Sequence, residues 1–382
     1  MPWKETDPMT ERLQFIAAYL NQVYSMTELC QRFGIRRNTG YKWVRRYPTE
    51  GLAGLQEKSR APHRCPHRMS EAVEAALLEA KRAHLHWGPR QILPYLAPRR
   101  PDLDLPAPST AGELFHRAGF SPARTRRRRH RHPGASPLQA EAPNAVWTAD
   151  FKGQFRTGDG LYGYPLTVAD AYRRLLCCCS ARLSTKQTEA RPIFERLFWE
   201  YGLPDAIRTD NGAPFATPAF CGLSQLSVWW ITLGIRHQRI APGRPAQHGR
   251  HERRHRTLKA EATRPPEPHQ QAQQARFDRF CCEYNEERPH EALHDRTPAS
   301  LYRPSARPMP AKLPAPADPG HSLVRRVSNA GTFRFQSRQI FMSDTLLQED
   351  IALAETADGM WSVSCYDVLL ARLDERTFKL YA

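Results

Sequence analysis

The sequence predicts a multidomain protein with N-terminal all-α helix-turn-helix modules, a central α/β core with a mixed five-stranded sheet, and a small all-β domain at residues 322–382. Three observations predict it. Capped amphipathic segments broken by glycine fill the first 123 residues. From Trp147 three strand-like runs follow one another, and further strands then alternate with helical segments. Past a proline-rich stretch, short strands separated by turn signals predict a small antiparallel β-barrel or sandwich over 322–382. At 382 residues the chain has room for two to four domains.

The segment "MTELCQRFGIRRNTGYKWVRRY" reads as two short helices across Gly34, with Thr27 as N-cap and the second helix starting near Arg36. That second helix carries Arg36, Arg37, Asn38, Tyr41, Lys42, Arg45 and Arg46 as DNA-binding candidates, with Trp43 and Val44 left to pack inward. Such a surface suits a major groove, where arginine and asparagine read base edges. The plain alternative is a helical bundle with a solvated basic face. The first module covers 1–60, and a second, related one covers 68–123. There Ser70 caps a helix, Pro89 opens the next, and "STAGELFHRAGF" supplies another capped helix ending at Gly119.

Residues 124–143 form a basic linker whose Arg126, Arg127, Arg128 and Arg129 suit phosphate. The α/β core spans 144–303, and a proline-rich linker spans 304–321. Within the core, "VWTADFKGQF", "YPLTVAD" and "RLLCCCSARL" read as strands, "AIRTD" as a fourth and "GIRHQRI" as a fifth. A helix from about Thr185 to Tyr201 precedes the fourth strand, with Pro192 expected to kink it. Long helices are expected over about 245–262 and 270–288.

Lys plus Arg number 56 against 39 acids, a formal charge of +17 that points to a polyanionic partner. The nine cysteines form no CxxC pair, which suits reduced thiols in a cytoplasm rather than a secreted disulfide frame. "PHRCPHR" (His63, Cys65, His67) has too irregular a spacing for zinc and reads as linker. No stretch is long and apolar enough to span a membrane, so a soluble, cytoplasmic protein is expected.

Against this basic background, three acids stand out. Asp150 sits inside the first core strand, where an unpaired carboxylate is costly to bury. Asp210 ends the fourth strand in "IRTDNGAPF", where Asp-Asn-Gly is also ordinary turn chemistry. These two strands are commonly adjacent. Converging carboxylates repel unless a cation lies between them. The next acid is Glu252, 42 positions after Asp210, on a helix face it shares with His248, His255, Arg256 and Lys259. Glu261 points to the opposite side. For Glu252 alone, a surface ion pair of a few tenths of a kcal/mol is the plain alternative.

"WTADFKG", "IRTDNGAPF", "PGRPAQHGRHERRHRTLK" and "YNEERPHEALHDRTPASLY" together resemble the catalytic core of bacterial insertion-sequence transposases of the DDE type, relatives of retroviral integrases. The motifs resemble the branch known as insertion-sequence family four-eight-one, and the leading "EGLAGLQEKSRAPHRCPHR" carries the same resemblance. His248 departs from the branch, which more often has Asn before the Gly. The resemblance implies a ribonuclease H-like core in which Asp150, Asp210 and Glu252 are catalytic and hold two Mg²⁺ ions, with Mn²⁺ able to substitute. Lys152, Arg244, Arg250, Arg253, Arg256 and Lys259 would clamp phosphates. Double-stranded DNA, as element terminal inverted repeats and as target, is the implied partner, bound by a homodimer or higher oligomer. The tail motif is read as packing, with Tyr284 and Leu293 inward and Arg288, Pro289 and His290 fixing the chain's exit. Two rivals remain. One is an idle, transposase-derived DNA-binding regulator, which Mg²⁺-dependent nicking would exclude. The other is a plain nuclease such as a ribonuclease H, which would cleave an RNA–DNA hybrid but not terminal-repeat DNA.

Overall fold

The computed structural model describes residues 7–59, 69–120, 140–151, 153–217, 222–240, 249–313, 322–366 and 368–381, with the backbone alone for 249–252. It divides into two compact units, Met1–Arg68 and Met69–Ala382.

The first unit holds α1 (Pro8–Leu20), α2 (Met26–Arg32) and α3 (Arg37–Glu50), closed by a 3₁₀ turn at Gly51–Leu55. The N-cap of α2 is Ser25 and not the expected Thr27. Ser25 accepts from the Glu28 amide while the Glu28 carboxylate accepts from the Ser25 amide. That reciprocal box needs an acid three residues after the cap, and Thr27 has Cys30 there. Gly34 makes the turn at φ 64°. Phe15, Ile16, Leu29, Cys30, Trp43 and Leu55 form the core, with Val44 packed against it.

The second unit opens with α4 (Glu71–Ala83), α5 (Pro89–Leu96) and α6 (Pro108–Arg117). Ser70 caps α4 as expected. The start of α6 differs, because its cap position is Ala107 and no side chain caps it. Proline at its first turn supplies the preset backbone angle instead. Buried Lys81 donates to the carbonyls of Leu85 and Trp87 and so closes the turn after α4. This module rests on the α/β core through His84, whose Nδ1 lies 2.8 Å from the Glu283 carboxylate, and through Arg288 over the Trp87 ring.

The sheet is built from β1 (Trp147–Phe151), β2 (Phe155–Arg156), β3 (Tyr162–Asp170), β4 (Leu176–Arg182), β5 (Ala206–Thr209) and β6 (Arg236–Arg239). Its five long strands run β4-β3-β1-β5-β6, and the two-residue β2 pairs with the start of β3 as a sixth. The expected first strand is thus split between β1 and β2. β1, β3 and β4 pair antiparallel, whereas β1–β5 and β5–β6 pair parallel, which makes the sheet mixed.

One face packs α7 (Gln187–Tyr201) and α8 (Gln225–Thr232). Trp147, Ala149, Val168 and Ile207 meet Phe194, Phe198 and Trp230 there. The other face packs α9 (Gly249–Ala262) and α10 (Gln270–Cys282), the latter extended by a π turn at Glu283–Glu287. Ala169, Cys179 and Ala181 meet Leu258, Phe277 and Tyr284 on that side. A register shift between Val168 and Ala169 splits the cysteine triplet, sending Cys177 and Cys178 to one core and Cys179 to the other. All three thiols are buried, and burial pushes their pKa values up, that of Cys178 to about 12. The outer strand β4 is closed by amides. Asn285 bonds both the N–H and C=O of Leu176, and Gln274 bonds Cys179 O and Ala181 N.

After α11 (Pro298–Leu301), the first part of the expected 304–321 linker is bound to the core and is not a free spacer. Ser305 N donates to Tyr201 O, Leu203 N donates to Arg307 O, and the Arg307 guanidinium donates to the carbonyls of Pro204, Leu233 and Gly234. Gly202 (φ 77°) permits this approach, since a Cβ there would stand 2.8 Å from Arg307 O.

The C-terminal region holds β7 (Leu323–Arg326), β8 (Thr332–Phe335), β9 (Arg338–Phe341), β10 (Asp350–Ala357), β11 (Met360–Cys365), β12 (Val368–Asp374) and β13 (Lys379–Tyr381). Five of them form an antiparallel sheet in the order β13-β12-β11-β10-β7, and β8 pairs with β9 in a separate hairpin. This is an all-β fold of sheet plus hairpin, as expected of this region, and among the described residues no pairing joins the edges of the five-stranded sheet. Its core includes Leu223, Val228 and Ile231 from around α8, so it packs directly on the central core.

Candidate active site

Asp150 is the fourth residue of β1, and Asp210 follows the last residue of β5. The parallel register sets Trp147 opposite Ile207 and Thr148 opposite Arg208. Asp150 and Asp210 thus stand at the same end of adjacent parallel strands, each two residues beyond the last paired position. Side chains alternate along a strand. Trp147, Ala149 and Ile207 therefore enter the core under α7 and α8, and Thr148, Asp150, Arg208 and Asp210 take the face toward α9.

At Asp210 the turn chemistry and the carboxylate coexist. Its Oδ1 accepts from the Gly212 amide at 3.2 Å, and Asn211 Nδ2 ties the loop to Ile240 O at 2.9 Å. Asp150 is partly exposed, as is Asp210. Asp170, by contrast, is fully buried at the end of β3. There it accepts from the amides of Asn144 and Arg173, and burial raises its pKa. That acid is structural.

α9 crosses the polar face. His255, 7% exposed, places Nδ1 3.6 Å from Asp150 Oδ2 and Nε2 2.9 Å from Thr167 Oγ1. Thr167 is fully buried and is the cross-strand partner of Asp150 on β3. Glu252 lies on α9 one turn before His255, and its side chain is outside the described atoms. Among the described residues no three His, Cys, Asp or Glu side chains group as a metal cage. The donor chemistry nonetheless fits a hard divalent cation, because two neighbouring carboxylates supply only oxygen ligands.

The basic candidates divide sharply. Arg36 at the cap of α3, and Arg37, Asn38, Tyr41 and Arg45 on it, are exposed. Lys42 and Arg46 are half-buried and lie over the Trp43 ring at 4.2 and 5.5 Å, so they support the core more than the surface. On α9, Arg253, Arg256 and Lys259 are exposed, whereas His255, grouped by helical angle with Arg256 and Lys259, turns inward. Lys152, Arg244, Arg126, Arg127, Arg128 and Arg129 lie outside the described residues, as do the side chain of Arg250, His248, and the His63, Cys65 and His67 group. The sequence reading missed Thr167; its signal is a lone hydroxyl inside the apolar run "YPLTVAD". Among the described residues no helix is long and apolar enough to cross a membrane.

Family models match in a consistent order. A helix-turn-helix domain covers residues 11–63, a homeodomain-like domain covers 39–115, and integrase core domains cover 140–245 and 233–298. An insertion element IS476 protein of Xanthomonas euvesicatoria is 27% identical over 202 residues, 51% of this chain and 54% of that one. The Gag-Pol polyprotein of baboon endogenous virus is 26% identical over 189 residues, 50% of this chain and 10% of that one. The chain thus spans about half of the first relative and a tenth of the second. Among solved structures, a simian T-cell lymphotropic virus intasome chain has a TM-score of 0.38 at 18% identity, covering 69% of this chain and 90% of that one. The HTLV-2 integrase catalytic core in complex with magnesium has a TM-score of 0.35 at 16% identity, covering 43% of this chain and 100% of that one.

Helix-turn-helix modules preceding a mixed-sheet integrase core define the class as an integrase-core protein. Within that class the integrase-core and helix-turn-helix matches, together with the insertion element IS476 protein at 27% identity, support an insertion-element transposase of the DDE type.

Proposed function

We propose that this protein is a DNA transposase that binds the ends of its mobile element, hydrolyses a phosphodiester there and joins the freed 3′-hydroxyl to target DNA. The observation that carries the reading is the parallel β1–β5 pairing, which makes neighbours of the strands bearing Asp150 and Asp210 and would let their carboxylates converge beneath the helix bearing Glu252. Asp150, Asp210 and Glu252 would supply the carboxylates that hold two Mg²⁺ ions. When bound, such ions activate an attacking oxygen and stabilise a departing one. Arg253, Arg256 and Lys259 project from the same helix and would hold the DNA backbone beside the carboxylates. The exposed part of α3 would read the element ends. Two ends joined at one target would require at least a dimer.

The test uses the purified full chain, DNA carrying the inverted repeats that flank its gene, and Mg²⁺ or Mn²⁺. Asp150→Asn and Glu252→Gln should abolish cutting and joining, and EDTA should do the same to the wild type. End binding by gel shift should persist in both variants. Strand joining by either variant at the wild-type rate would remove the mechanism.

A further inference from the structure

Buried histidines usually serve packing, and His255 has the surroundings to be one of them. It packs between α9 and the sheet, 7% exposed, among residues that leave little water. Its two ring nitrogens, however, are not spent on packing partners. One faces a carboxylate proposed to hold metal, and the other faces a hydroxyl on the neighbouring strand.

The hydrogen-bond directions can be worked out. A neutral imidazole carries one N–H and one bare nitrogen. If Nε2 carried the proton, bare Nδ1 would face the Asp150 carboxylate, setting lone pair against lone pair. If Nδ1 carries it, the N–H faces Asp150 Oδ2 at 3.6 Å, an electrostatic contact longer than a hydrogen bond, and Nε2 accepts from the Thr167 hydroxyl at 2.9 Å in place of that hydroxyl's longer, 3.3 Å bond to the Asp150 carbonyl. The second arrangement makes both ring contacts favourable. Thr167 stands directly across the β1–β3 pair from Asp150, so the imidazole is gripped by the two strands nearest the carboxylate.

The same ring is fixed to α9 one turn after Glu252. Anchoring His255 therefore does two things together. It orients the Asp150 carboxylate, and it sets the rotation and height of the helix that carries Glu252 over β1. From this geometry, and resting on the transposase reading above, we infer that His255 is a positioning residue, protonated at Nδ1, that pegs α9 to Asp150 and fixes the spacing of the carboxylates that take up the divalent ions.

The test compares wild type with His255→Phe, which keeps ring volume without either nitrogen, His255→Asn, which can present an N–H toward Asp150, and Thr167→Val. Mn²⁺ binding is followed by electron paramagnetic resonance, alongside cutting kinetics and end-DNA affinity. His255→Phe should bind Mn²⁺ about tenfold more weakly, in line with the loss of a partner that orients a metal ligand. Its kcat should fall while end-DNA affinity stays unchanged. His255→Asn should recover most of both losses, and Thr167→Val should lie between. In the metal-free wild type, histidine-selective ¹⁵N spectra should show one Nδ1–H tautomer that disappears in His255→Phe. Wild-type Mn²⁺ affinity in a folded His255→Phe, or an Nε2–H tautomer, would overturn the inference and leave the transposase reading standing. Absence of both Mn²⁺ binding and cutting in the wild type would overturn both.

Discussion

Arg288 donates Nη1 to both carboxylate oxygens of Glu261, at 3.0 and 3.1 Å, with the two side chains only 9% and 12% exposed. The pair locks the last turn of α9 to the segment leaving the π turn and holds Glu261 against it. Burial raises the Glu261 pKa, and Arg288 opposes that rise without cancelling it. Removing one partner strands the other charge. Arg288→Met should therefore cost about 3–5 kcal/mol in urea unfolding, and Arg288→Met combined with Glu261→Met should recover much of it.

The two sets of basic residues on α3 should behave differently. Arg37→Ala and Arg45→Ala should each weaken DNA binding and reduce the slope of log K against log salt by about 1. Lys42→Ala and Arg46→Ala should instead lower the Tm, because these side chains cover Trp43. Salt titrations by fluorescence anisotropy, with a melt of each variant, separate the outcomes.

Gly40 is where α3 passes closest to its neighbours. A Cβ there would stand 2.7 Å from Cys30 Sγ and 3.0 Å from Phe15 Cζ. Gly40→Ala should overpack this junction and cost about 1–3 kcal/mol, well beyond any gain in helix propensity. Calorimetry of the variant checks it.

His237 and His290 are held neutral by burial, with Arg239 and Arg288 respectively adding to the effect, and both pKa values fall to about 4. The unfolded chain takes up protons near pH 6.5, before the folded one does. The stability tied to these histidines is thus present above pH 6.5 and is lost as pH falls to about 4, by at most roughly 3 kcal/mol each. Buried Asp170 and Glu261, whose pKa values are raised, act in the opposite sense at acid pH. The informative quantity is therefore the difference from wild type. His237→Asn and His290→Gln should each flatten the Tm profile between pH 6.5 and 4.

Much of this fold was legible because local chemistry and tertiary structure agree. The strand before Asp210 is short and buried, the helix after Ser70 has its cap, and Pro89 and Gly34 stand where helices begin and end. That the strands bearing Asp150 and Asp210 lie side by side was legible through strand order alone. What stayed hidden depends on distant partners. Nothing local marks Asn285 or Gln274 as closing β4, or proline-rich residues 303–309 as part of the core. Helical angle grouped His255 with Arg256 and Lys259, but which edge of that stripe is buried depends on the sheet beneath it.

The segment bonded along Tyr201–Pro204 bears on how the catalytic portion can be excised for crystallography or assay. A fragment stopped at residue 298, where the integrase-core match ends, would lack Arg307 and bare the carbonyls of Pro204, Leu233 and Gly234. The smallest piece that folds on its own should extend past Met309, whose side chain still packs on the apolar interior.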